Sequence, residues 1–85
     1  MTTASSAVIR SGLQRLGWTV SDLWLAAASV GGSFSRQDVE DLTTGGRAAT
    51  PIEHNILVAA LNDRFVDLGN NHPLACWSDL RPSTA

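Results

Sequence analysis

In the stretch "GGSFSRQDVEDLTTGGRAATPIEH", residues 31–54, four polar or cationic side chains gather at one expected helix start: Ser33, Ser35, Arg36 and Gln37. The first turn of a helix carries backbone N–H groups without partners and the positive end of the macrodipole, so it favours a phosphate or another anion. A guanidinium there matches the two acceptors of guanine and a carboxamide matches adenine, which makes Arg36 and Gln37 candidate base readers. Thr43, Thr44 and Arg47, at the far end of the same segment, are candidates for holding a nucleic-acid backbone. Three carboxylates oppose that chemistry: Asp38, Glu40 and Asp41 lie on the same segment. Asp38 is accounted for as a helix-capping residue, but Glu40 and Asp41 are expected to face solvent and to repel phosphate.

A second group, His54, His72 and Cys76, raises a metal reading, because His72 and Cys76 stand four apart. A structural zinc site needs four ligands at recognisable spacings, and the fourth is missing. No metal and no cofactor are therefore expected. His54 is read as a first-turn helix residue and Cys76 as a small buried apolar group. No glycine-rich loop follows a strand, and no serine elbow or nucleophile with its base stands out, so the chain is not expected to be an enzyme. An all-helical domain of this size also leaves little room for a substrate cleft.

Eighty-five residues make one domain, close to the size below which a single apolar core no longer suffices. The apolar share of 44% and the charged share of 16% are those of a folded chain. Net charge is −2, and all six cationic side chains are arginines, so no basic block points to a polyanion or an anionic membrane. A single cysteine suits a reducing compartment, and neither a leader peptide nor a run of membrane-spanning length is read, so a cytoplasmic location is expected.

Those candidates must be positioned by helices. "MTTASS" and "RPSTA" read as tails, giving flexible ends at 1–5 and 81–85 around a single domain at 6–80. Ile9, Leu13 and Leu16 recur at helical spacing after a serine pair able to cap, and Gly17 stops that first helix. Thr19 with Asp22 starts a second, "VSDLWLAAASV", with Trp18 and Leu23 as a hydrophobic staple. Its alanines 26–28 are expected to admit a close neighbour, and Gly31 with Gly32 ends it. Ser35 with Asp38 starts a third helix over residues 36–44, stapled by Phe34 on Val39 and stopped by Gly45 and Gly46.

Thr50-Pro51-Ile52-Glu53 is the strongest start in the chain, a capping box with proline in the first turn. Ile52, Ile56, Leu57, Ala59, Ala60, Leu61, Phe65 and Leu68 then make an unusually wide apolar face on a fourth helix closed by Gly69. "LACWSDL", residues 74–80, is read as a short fifth helix. The expected class is all-α, a compact bundle of four to five short helices with a helix-turn-helix.

From about Leu16 to Phe65 the chain resembles the lambda-repressor-like helix-turn-helix family. The resemblance is carried by Ala27 followed four residues later by Gly31, by Val39 and Leu42 as anchors of the third helix, and by the Gly46-Arg47 ending. Gly31 to Val39 spans eight positions where that family's tight turn gives six. "GRAATPIEHNILVAALNDRF" is also similar to small regulator-like proteins of actinobacteria and their phages. In that family the third helix enters the major groove, so the resemblance implies a DNA-binding transcriptional regulator whose partner is double-stranded DNA. The contacts would then come from Ser33, Ser35, Arg36, Gln37, Thr43, Thr44 and Arg47.

The acidic third helix supports a different use of the same fold, a protein-interaction module such as an antirepressor, an antitoxin-like partner or a phage protein that binds a host protein. Three tryptophans and the wide fourth helix fit that alternative, since aromatics anchor interfaces. Trp24, Leu57, Leu61, Phe65 and Trp77 are the interface candidates, with helix four and residues 74–80 as the seam of a homodimer. Trp24 and Leu25 cannot both share the inward face set by Leu23 and Ala27, so one of the two is expected to point outward.

Overall fold

The structure, a computed structural model, describes residues 4–70, Leu74 and Trp77. It is all-helical among those residues, with four helices: α1 (Ala4–Leu16), α2 (Val20–Ser29), α3 (Arg36–Thr44) and α4 (Pro51–Asp67). None of them is long and apolar enough to cross a membrane. The expected fifth helix at 74–80 and the tail at 81–85 lie outside the described residues, apart from Leu74 and Trp77.

Three of the four helix starts are built as the sequence implies. Thr19, Ser35 and Thr50 each accept a hydrogen bond from the backbone N–H three residues on, and Asp22, Asp38 and Glu53 each accept one back from the cap residue's own N–H. Each box satisfies two backbone donors that the helix cannot pair internally. The start of α1 differs from expectation. Ser5 and Ser6 are not caps ahead of the helix but first-turn residues inside it, 4% and 1% exposed, and Ala4 and Ser5 belong to α1 rather than to a tail. Ser5 Oγ lies 2.6 Å from His54 Nδ1 on α4, a polar contact that draws the start of α1 inward.

The helices form a ring in which α1 packs on α3 and α4, and α2 packs on α3 and α4, while α1·α2 and α3·α4 meet only lightly. At its centre lie Ile9, Leu13, Leu23, Ala27, Val39, Leu42, Leu57, Val58, Leu61 and Phe65. The α1–α4 crossing is tight. A Cβ on Gly12 would fall 2.7 Å from Leu74 Cδ1 and 2.9 Å from Leu61 Cδ1, so a side chain there would push the ends of these two leucines aside. Leu74 is fixed there by a reciprocal pair with Asn62, which donates from Nδ2 to the Leu74 carbonyl at 3.1 Å and accepts the Leu74 N–H at 3.1 Å.

The wide apolar face of α4 divides in the fold. Leu57, Leu61 and Phe65 point inward at 0, 0 and 3% exposure, whereas Ile52 and Leu68 stay outside at 72 and 54%. Ile52 stands in the first turn and Leu68 past the last, beyond the reach of the ring. The dimer seam expected at Leu57, Leu61 and Phe65 is thereby corrected, because their apolar surface is already covered by this chain's own helices. Leu61→Ala is expected to destabilise the monomer by about 2–5 kcal/mol, against a change within about 0.5 kcal/mol for exposed Leu25→Ala. Denaturant unfolding of both variants measures this, and equal small losses would return Leu61 to a surface role.

Candidate interaction surface

Gly31 and the cap at Ser35 place α3. The Gly31 backbone sits at φ +92°, a left-handed conformation that turns the chain out of α2. The Gly32 N–H reaches back to the Ala27 carbonyl at 2.8 Å and closes the turn. At the far end the Gly45 N–H donates to the Asp41 carbonyl at 3.0 Å. Between these stops α3 buries Val39, Leu42 and Thr43 and leaves the rest of its surface outward.

Several side chains expected to contact a ligand are engaged within the protein. The Ser35 hydroxyl accepts the Asp38 N–H at 3.0 Å. Gln37 Nε2 donates to Asp41 Oδ1 at 3.0 Å, one turn along the helix. Thr43 is 5% exposed and donates to the Val39 carbonyl at 2.8 Å, so the backbone-holding role expected of it is corrected to an interior one. Thr44 and Ser33 are exposed. Arg36 is also exposed, with Nε donating to Ser21 Oγ on α2 at 2.8 Å, which ties α3 to α2 and leaves the terminal nitrogens without a protein partner among the described residues.

Arg47 has the most consequential change of role. Its Nη1 donates to both carboxylate oxygens of Glu53, at 3.2 and 3.0 Å, and its Nη2 lies 3.7 Å from Asp38 Oδ1. Asp38 and Glu53 are the third residues of α3 and α4, the acidic halves of two capping boxes. One half-buried guanidinium therefore bridges the starts of two helices that scarcely pack on each other. The Thr50 backbone N–H, assisted by Arg47, holds the Glu53 carboxyl below the usual glutamate range. The Ser35 backbone N–H does the same for Asp38, with Arg47 contributing less. Arg47 is a clamp inside the fold, and its expected role of gripping a nucleic-acid backbone is corrected accordingly.

The aromatic candidates divide as well. Trp24 is half-buried, with Nε1 donating to the Phe34 carbonyl at 2.8 Å, so it anchors the loop before α3, and Leu25 is the outward residue at 60% exposure. Trp77 is 36% exposed. Its N–H donates to Asn55 Oδ1 at 2.8 Å, and its ring meets that of buried His54 edge-on at 5.8 Å. The Ser5–His54 pair, separated by 49 positions, had no local signal in the sequence; with 4 and 0% exposure it is enclosed, and a substrate cannot reach it. Of the metal candidates, His72 and Cys76 lie outside the described residues, and no group of three possible ligands occurs among those described.

A groove of about 190 Å³ opens between the end of α2 and the end of α4, with Trp18, Ala26, Val30 and Ala60 lining it and Ser29, Asp63, Arg64 and Asp67 at its polar edge. Of the three alanines expected to admit a neighbouring helix, only Ala27 is fully buried; Ala26 faces this groove and Ala28 faces solvent.

Comparison with family models, with curated proteins and with solved structures gave no match for this chain.

The clamp gives a pH-dependent expectation. Arg47→Ala should lower Tm at neutral pH, and added salt should narrow the gap. Glu53→Gln keeps a capping-box side chain but loses the ion pair. Because the folded-state carboxyl is held low, its contribution is fully present above pH 4.5, the ordinary value, and fades as pH falls through the lower folded value. Thermal melts from pH 7 downward should show wild type and Glu53→Gln converging under acid, and identical melts at pH 7 would remove the clamp from the account.

Proposed function

We propose that this chain is a non-enzymatic protein-interaction module, working in the cytoplasm, that captures a partner on the outer surface of α2 and the ends of its neighbours. The observation that carries this reading is the charge on and around α3. Arg47 is closed between Glu53 and Asp38. That leaves Arg36 as the cation at the helix start, sharing the outer surface of α3 with exposed Glu40 and half-buried Asp41. A duplex carries about one negative charge per 1.7 Å of its axis, and binding draws its affinity from neutralising several phosphates. A helix with one open guanidinium and two such carboxylates is poorly equipped for that. Leu25 at 60% exposure and the neighbouring groove offer the apolar contact on which protein interfaces rely.

One observation favours a second reading, a DNA-binding regulator with α3 as the recognition helix. Arg36 is oriented by Ser21 at the first position of α3, and its terminal nitrogens point to no partner among the described residues. A base-reading arginine needs that kind of orientation.

Two measurements separate the readings. Fluorescence anisotropy of a random-sequence duplex pool titrated with the protein at low salt should show no sequence-selective retention. A photocrosslinking residue placed at Leu25 in cells should give a discrete protein adduct that the same residue placed at Gln14, on the exposed side of α1, does not give. Selective, salt-weakened DNA binding that Arg36→Ala reduces by about 1–3 kcal/mol would overturn the interaction module and install the regulator.

A further inference from the structure

The groove between α2 and α4 is shaped and charged for a particular class of occupant. At about 190 Å³ it is smaller than the roughly 300–1,000 Å³ of a small-molecule site, so it suits an inserted side chain rather than a cofactor. Its apolar wall is made by half-buried Trp18 and Ala26, exposed Val30 and buried Ala60. Trp18 precedes the α2 cap, and Val30 follows its last turn.

The edge facing that wall carries two carboxylates, Asp63 and Asp67, against one cation, Arg64. Asp63 and Asp67 stand four apart in the last two turns of α4, both exposed. Like charges at that spacing repel, and carboxylates near a helix C-terminus face the negative end of its macrodipole. Arg64 lies on the same edge but makes no ion pair with either among the described residues. Elsewhere each helix that begins with a capping box carries an acid at its start, where it is stabilising. An arrangement that works against the free fold beside an open apolar groove fits an incoming cation.

We propose that the α2–α4 groove binds a segment of a partner protein that inserts an aliphatic side chain against Trp18 and Val30 and brings a neighbouring arginine or lysine to Asp63 and Asp67. The inference rests on the protein-interaction reading and names the partner chemistry of one part of that surface.

The test uses two helical peptides that differ only in charge, a leucine flanked by arginines one turn on either side and the same leucine flanked by glutamates. Binding to the 85-residue chain is followed by amide shifts in 1H–15N spectra. The arginine peptide should move the signals of Ala26, Ser29, Val30 and Ala60, and the glutamate peptide should not. In Asp63→Asn/Asp67→Asn the affinity should fall at least tenfold while Tm rises by about 2–4 °C, as relief of the like-charge pair at the helix end requires. Ser29→Trp, which overhangs the groove from an exposed position, should block binding without loss of helicity.

Equal shifts with both peptides, shifts mapping elsewhere, or none at all would overturn the groove assignment. So would concentration-dependent shifts of the same residues without peptide, which would assign the groove to a second copy of the chain. If the peptides fail but the Leu25 crosslink persists, the module stands and the groove is wrong. If the crosslink is lost and DNA is retained selectively, the module itself fails.

Discussion

Leu57, Leu61 and Phe65 stand one above another on α4, and the rest of the domain is arranged to cover that row. α1 covers it from one side through Ile9 and Leu13, and α2 covers it from the other through Leu23 and Ala27, while α3 closes the ring by packing on α1 and α2. In a chain of 85 residues the apolar area available for burial is small, so three inward side chains on one helix account for a large share of the core. The same scarcity explains why Asn62 is used to draw Leu74 back over Gly12, extending the cover at little cost in chain length.

α3 is held differently. Its apolar stripe is short, Val39 and Leu42 with the aliphatic part of Thr43, and it meets α4 only lightly. What fixes it is polar: the Ser35–Asp38 box at its start, Arg36 on Ser21, Trp24 on the loop carbonyl of Phe34, and Arg47 joining its acidic third residue to that of α4. The arginines are thus divided between structural and open uses. Arg47 links helix starts and Arg15 stacks over the Phe65 ring at 5.0 Å, while the terminal nitrogens of Arg36 and Arg64 make no ion pair among the described residues. With no lysines, that division leaves the outer surface less basic than the count of cations alone implies.

The surface features that remain converge on α2. Its outward residue Leu25, the wall of the groove at Ala26 and Val30, and the serine that orients Arg36 all lie on or beside this one ten-residue helix. The inward side of α2 is made by Leu23 and Ala27, with Val20, Trp24 and Ala26 packed partly against the core, which leaves Asp22, Leu25, Ala28 and Ser29 outward. Changes at those four exposed positions leave the core packing of α2 intact.

The sequence by itself determined the helices. Reciprocal caps at Thr19, Ser35 and Thr50 and glycine at the helix ends depend on hydrogen bonds between residues three to five apart, so their partners can be read along the chain. It also marked that one of Trp24 and Leu25 had to point outward, though not which. What the tertiary structure decided was the use of side chains whose partners are distant in sequence or whose exposure depends on the ring of helices. The Ser5–His54 contact spans 49 positions, and Trp24 lies half-buried against the core with its indole N–H on the Phe34 carbonyl. The α2–α4 groove is lined by two stretches of chain, 18–30 and 60–67, that lie far apart in sequence. Arg47 changed from a candidate ligand contact to a clamp because Glu53 and Asp38 arrive beside it together, and a periodic pattern records which residues share a helix face but not what stands opposite that face.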